Sequence, residues 1–206
     1  MIAITLPDGS VKQFDAGITP MGVAISISEG FARNVISASF NDIIIESSTP
    51  LTEDGHLILY TWRDKKGKQA FWHSSAHIMA QALEEKFPGV KLTIGPAIEN
   101  GFYYDIDLVD NTISDKDLKS IEDKMLEIAR GKHEFTLRES SKADALEYYK
   151  KQGNQYKVAL IENLEDGTIT FCDHDSFTDL CRGGHIPNTG IVKAIKLMSI
   201  AGAYWR

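Results

Sequence analysis

Cysteine is nearly absent: the 206 residues hold two, Cys172 and Cys181. Two thiols cannot form a disulfide framework, and both are expected to be reduced. No apolar run approaches about eighteen residues, so no membrane-spanning helix is expected. The first residues, Met1-Ile2-Ala3-Ile4-Thr5-Leu6, lack a basic region and run straight into a strand pattern, which argues against a secretory signal. Positive charge is also scarce. Lys and Arg number 22 against 29 Asp and Glu, a formal net charge of −7. That balance argues against broad, nonspecific nucleic-acid binding. It still permits a local basic groove, and Lys193, Lys196 and Arg206 lie close together near the C-terminus. Internal repeats and low-complexity segments are absent.

What remains is ordinary soluble composition, 43% apolar and 25% charged, in a length that suits one large domain or two smaller ones. Residues 1–62 read as a β-rich unit. Ile2, Ile4 and Leu6 alternate with smaller or polar residues, Pro7-Asp8-Gly9 marks a turn, and Val11 and Phe14 resume a strand. Thr19-Pro20 opens a short helix through Ile27. Ile36, Ala38 and Phe40 form a half-buried strand, turned at Asn41-Asp42 into Ile43-Ile44-Ile45. After the turn at 52–55, Leu57 to Tyr60 close the unit. Two hairpins, one helix and a final strand are a β-grasp order of elements.

Residues 63–69 are charged, contain Gly67 and lack apolar periodicity, and so read as a linker. Residues 70–206 read as a larger α+β domain. Its first helix carries Trp72, Ala76, Met79, Leu83 and Phe87 and stops at Pro88-Gly89. Strands are expected over 92–98 and 102–106, and a helix from Ser114, capped by Asp117, to Gly131. A strand at 135–137 precedes a helix from Ser141 to Gly153. Strands are expected at 156–161, 168–171 and 193–200, with residues 173–188 mostly loop.

The chemistry concentrates in two pairs. His73 and His77, four apart on a helix, project from one strip beside the apolar stripe. About a hundred positions later, Cys181 and His185 flank Arg182-Gly183-Gly184, whose glycines let thiol and imidazole face one point. Three imidazoles and a thiolate match tetrahedral zinc in type and number. The same groups can also act without metal, as hydrogen-bonding groups and proton carriers near neutral pH. No Glu follows His73, so the metalloprotease signature is missing.

Four segments carry a resemblance: His73-Ser74-Ser75-Ala76-His77, residues 94–105, residues 179–187 and residues 197–206. Together they resemble the N-terminal half of the bacterial-type threonyl-tRNA synthetase family, over essentially the whole chain. Residues 1–62 look like the TGS domain of that family, and residues 70–206 like its editing domain with the second-additional-domain motif. Ser75 stands where cysteine is common, and Gly184 where proline is common.

This resemblance implies a cytoplasmic editing hydrolase that releases serine from mischarged threonine tRNA. Serine and threonine differ by one methyl, which a pocket separates by only about 1–3 kcal/mol; a second, tighter hydrolytic site is the remedy. His73 is the candidate to position or deprotonate the water. Lys157 supplies positive charge near a second water or the leaving ribose oxygen. Asp179 faces the substrate's α-ammonium or hydroxyl, and Tyr104 the serine moiety or terminal adenosine. His77, Cys181 and His185 complete the polar pocket. By residue type alone, Lys157 reads as an outward-facing strand lysine, Asp179 as a loop cap and Tyr104 as core. No metal is favoured, although zinc on His73, His77, Cys181 and His185 is compatible with the ligand types. ATP and the family's other zinc belong to a catalytic domain outside this sequence. The implied partner is the acceptor end of tRNA(Thr) carrying serine, with the chain itself a monomer and no membrane involved. The alternative is a noncatalytic acceptor-binding module built on a structural zinc.

Overall fold

The structure, a computed structural model, describes residues 1–202. It divides into two units, Met1–Phe71 with Gly183–Pro187, and Trp72–Arg182 with the chain from Asn188 onward. Among the described residues no helix is long and apolar enough to cross a membrane.

In the first unit, β1 (Ile2–Thr5) and β2 (Val11–Phe14) form an antiparallel hairpin. Its turn is fixed by Gly9 at φ 82° and by the Asp8 carboxylate, which accepts the Ser10 N–H at 2.9 Å. Thr19 caps α1 (Pro20–Ile27), accepting the Gly22 N–H at 3.0 Å, with proline at the first helical position. A short α2 (Glu29–Ala32) follows. Next, β3 (Val35–Phe40) turns into β4 (Ile43–Ile45) through Asn41 and Asp42, both at positive φ. Such a turn matches the right-handed twist of the strands it joins. The strand β5 (Gly55–Thr61) completes a sheet of order β2-β1-β5-β3-β4. Only β1 and β5 run parallel, which gives the β-grasp fold.

Alternation puts Ile2, Ile4, Ala38 and Leu57 on one face, against Val23 of α1 and Leu51. Burying a leucine as completely as Leu57 contributes about 1.5–3 kcal/mol. Ser39 and Tyr60, also buried, satisfy each other at 2.8 Å.

The long helix α3 (Lys65–Lys86) corrects the linker reading, because five of the linker residues, 65–69, are helical. Gly67 there serves close approach rather than flexibility. A Cβ on it would lie 2.1 Å from the Thr61 carbonyl oxygen, so the first turn of the helix packs tightly on the end of β5.

In the second unit, the two expected strands break into the short pieces β6 (Lys91–Leu92), β7 (Ala97–Ile98), β8 (Gly101–Phe102) and β9 (Ile106–Asp107). They pair β6 with β9 and β7 with β8. In α4 (Asp115–Arg130), the Asp117 carboxylate accepts the Ser114 N–H at 2.8 Å, closing the expected cap. Next come β10 (Thr136–Glu139) and α5 (Lys142–Lys151).

Residues 156–161 form α6 (Gln155–Glu162), not a strand. A short apolar run is ambiguous by pattern alone. Here Asn154 decides it, its side chain accepting the Lys157 N–H at 3.1 Å while Lys157 and Ile161 share the buried face. Then β11 (Thr170–His174) and β12 (Phe177–Leu180) join β10 in an antiparallel sheet of order β10-β11-β12, so part of the expected loop 173–188 is strand.

Residues 193–200 form no strand. The Leu197 N–H and the Lys196 ammonium both bind Glu122 of α4, at 2.8 and 3.1 Å, and draw the segment along that helix. The same pairing takes Lys196 out of the basic cluster considered above, and Arg206 lies outside the described residues, as does the end of the 197–206 motif.

Candidate active site

A cavity of about 540 Å³ opens in the second unit, within the range of small-molecule sites. Its lining is apolar at Ile94, Pro96, Leu160 and Leu164, and polar at His73, His77, Tyr104, Lys157, Asp179 and Cys181. Six of the seven sequence-selected residues therefore share one cavity. The seventh, His185, belongs to the first unit.

The six polar groups arrive from four places in the chain: α3, α6, the end of β12 and the stretch before β9. His73 and His77 lie one turn apart on α3, with Nε2 atoms 2.9 Å apart, and His73 Nε2 is 3.0 Å from Cys181 Sγ. Cys181 is held where it leaves β12, its N–H donating to the Thr170 carbonyl at 3.0 Å. Lys157 comes from the first turn of α6, placed by the Asn154 cap, whose amide also donates to the Leu92 carbonyl at 2.9 Å. Asp179 comes from β12, and Tyr104 from the irregular stretch between β8 and β9.

Asp179 is the hub. Its Oδ1 meets Lys157 Nζ at 2.5 Å, Tyr149 Oη at 3.3 Å and its neighbour's Leu180 N–H at 2.8 Å. The Tyr104 hydroxyl donates to Oδ2, and His77 Nδ1 faces that oxygen at 3.4 Å. Lys157 also reaches Tyr104 Oη at 3.3 Å. Lys157 and Asp179 are both almost wholly buried, at 3% and 2% exposure, so the lysine is no outward-facing residue.

These contacts set the charges. Burial pushes the Asp179 carboxyl up, yet the Lys157 ammonium and His77 outweigh it and hold the group well below the usual carboxylate range. Burial would likewise lower His77, but Cys181 and Asp179 overcome it and raise the imidazole above its ordinary value. Burial, then the Asp179 charge, lifts the Tyr104 phenol far upward and keeps it a neutral donor. An Asp–His–His line thus runs from a buried carboxylate to His73, the more exposed of the two imidazoles.

Sequence reasoning missed three acidic or phenolic groups. Tyr149 of α5 donates to Asp179 and accepts the Leu180 N–H at 2.8 Å. Glu84 lies seven residues after His77, on the same face of α3. Its side chain is exposed, yet desolvation of the carboxyl and the Asp179 charge raise it to about 7, against the pull of Lys157 and Lys91. The third is Glu46, just beyond β4. Its Oε1 takes His185 Nδ1 at 2.9 Å and the Gly184 N–H at 3.0 Å, while Oε2 takes the His185 N–H at 3.1 Å. The i+7 spacing could have flagged Glu84. No local pattern links residue 46 to residue 185.

Comparison with known proteins finds likeness to two domain families and to full-chain relatives. Residues 2–61 match the TGS domain, and residues 169–203 match the threonyl and alanyl tRNA synthetase second additional domain. The whole chain is 70% identical over 206 residues to a threonine–tRNA ligase of Flavobacterium johnsoniae. It is 69% identical to that of Flavobacterium psychrophilum and 54% identical to that of Cytophaga hutchinsonii, again over 206 residues. In each case the chain is covered completely and spans 32% of the relative's length.

Proposed function

We propose, for a chain that belongs to the threonyl-tRNA synthetase family and carries its TGS and second additional domains, that the cavity hydrolyses seryl-tRNA(Thr). The Asp179–His77–His73 line carries this reading, because ester hydrolysis needs a positioned water, a proton acceptor and a cation for the developing negative charge. His73 takes the proton from water and can share it with His77, whose imidazolium is stabilised by the charges that raise it. Lys157 supplies positive charge by the oxyanion or the departing ribose oxygen. The substrate ammonium reaches Asp179 by displacing the Tyr104 hydroxyl, which then turns to the serine hydroxyl. The apolar lining residues receive the terminal adenosine of the acceptor end. His185 contributes as the fourth member of the sequence-selected His/Cys set. The first unit orients tRNA or the neighbouring domains of the synthetase, in the cytoplasm.

A second reading rests on ligand type, since His73, His77 and Cys181 are all zinc donors. The 2.9 and 3.0 Å contacts between these groups are hydrogen-bond lengths, which suit proton transfer.

The test is deacylation. The chain should hydrolyse seryl-tRNA(Thr) and spare threonyl-tRNA(Thr). His73→Ala should lower the rate about 10²–10⁴-fold, the usual worth of general base catalysis, without unfolding the protein. Turnover that survives this substitution would remove His73 from the mechanism. Stoichiometric zinc whose chelation unfolds the chain would favour the structural-zinc reading.

A further inference from the structure

The sequence selected His185 but offered nothing to orient it. In the first unit Glu46 does so with three contacts from one carboxylate: two backbone N–H groups of the 183–187 segment and the His185 ring. Glu46 and His185 are 6% and 0% exposed. In a site this dry, a misdirected imidazole proton would leave a buried polar atom unmatched. A carboxylate can only accept, so the ring nitrogen facing it must carry hydrogen. The backbone around Glu46 is itself pinned, with the Thr49 N–H on the Glu46 carbonyl at 3.0 Å and the Met21 N–H on the Ser47 carbonyl at 3.0 Å.

The loop is shaped to meet this carboxylate. Gly183 and Gly184 take φ of 91° and 87°, which glycine adopts without steric cost. A Cβ on Gly184 would also stand 3.1 Å from Ile44 Cγ2. A proline at 184 could adopt neither this φ nor the bond to Glu46, because it has no N–H. Glycine at 184 and glutamate at 46 therefore act as one device.

We propose that Glu46, from the TGS unit, is a positioning residue for the deacylase, holding His185 as its Nδ1–H tautomer with Nε2 left as an acceptor. This rests on the reading that His185 serves the hydrolytic reaction. Carboxylates that orient a working imidazole fix its tautomer in this way, and their loss commonly costs about 10–100-fold in activity.

The test uses the whole chain and its Glu46→Leu variant, which removes the acceptor, with ring-nitrogen NMR and single-turnover deacylation of seryl-tRNA(Thr) on both. The parent spectrum should show His185 protonated at Nδ1. In Glu46→Leu that preference should be lost, and the rate at saturation should fall about 10–100-fold with little change in half-saturating substrate. An Nε2–H tautomer in the parent overturns the assignment, and so does an undisturbed Nδ1–H signal in Glu46→Leu. A changed tautomer with an unchanged rate overturns the link to hydrolysis. Should the parent fail to deacylate at all, the functional reading falls, while the parent spectrum still decides the role of Glu46 even if the variant does not fold.

Discussion

The two units bury different things. In the first, the sheet packs Ile2, Ile4, Ala38 and Leu57 on Val23 and Leu51, and two of its buried polar groups, Ser39 and Tyr60, pair with each other. In the second, Lys157, Asp179 and His77 are buried together beside a cavity, each reached from a different element. An apolar core gains from every contact, whereas a buried ion pair must first offset the desolvation of both charges. The second unit therefore gives up some stability to hold a fixed electrostatic arrangement. Such prearrangement is what hydrolysis requires, since groups already aimed at the developing charge need no reorganisation.

The largest break in this contrast should come from Asp179→Asn. It leaves Lys157 buried without its counter-charge, and calorimetry should show a loss of about 3–5 kcal/mol. Replacing both partners by leucine and methionine should recover most of that stability and none of the deacylation. If the double variant stays as unstable as the single, the cost lies in packing and the contrast fails.

In the first unit, Leu57→Ala should cost about 2–5 kcal/mol through a cavity in the core, by denaturant titration. Deacylation per folded molecule should hold. A smaller effect tests placement: Asn154→Ala removes the cap of α6 and should cost about 1 kcal/mol. It should also slow deacylation by loosening Lys157, an effect no cap in the first unit would have.

The smallest effect concerns pH, because Glu84 is exposed and solvent screens its charge. The Glu84 carboxyl rises to about 7 in the folded chain from an unfolded value of 4.5. Between those values the folded form holds the proton that the unfolded form has lost, so this group's contribution to stability is present below 4.5 and falls away as pH climbs to 7. Glu84→Gln should flatten that part of the stability–pH curve. An unchanged slope would place the titration elsewhere.

Much of the first unit was legible because its signals are local. Pro7-Asp8-Gly9, Thr19-Pro20 and Asn41-Asp42 each act within four residues, and strand alternation names the buried face. In the second unit, period and length failed where the run was short. Residues 156–161 suit a strand as well as a helix until Asn154 is seen to cap them, and residues 193–200, read as a strand, instead follow Glu122. The six cavity residues could be chosen from sequence by chemical type and family likeness. The hub role of Asp179, the help of Tyr149 and the grip of Glu46 on His185 could not, since each depends on contacts between elements far apart in the chain.

Glu46 also ties the first unit to time. Its donors lie at residues 184 and 185, long after β5 has left the ribosome. At about 5–20 residues per second, roughly 6–25 s of synthesis separate the last strand of the sheet from the segment that satisfies its buried carboxylate. During that interval neither of these backbone donors exists for Glu46 to meet. A chain released at residue 62 would stay in that state, a β-grasp with one acid never given its donors.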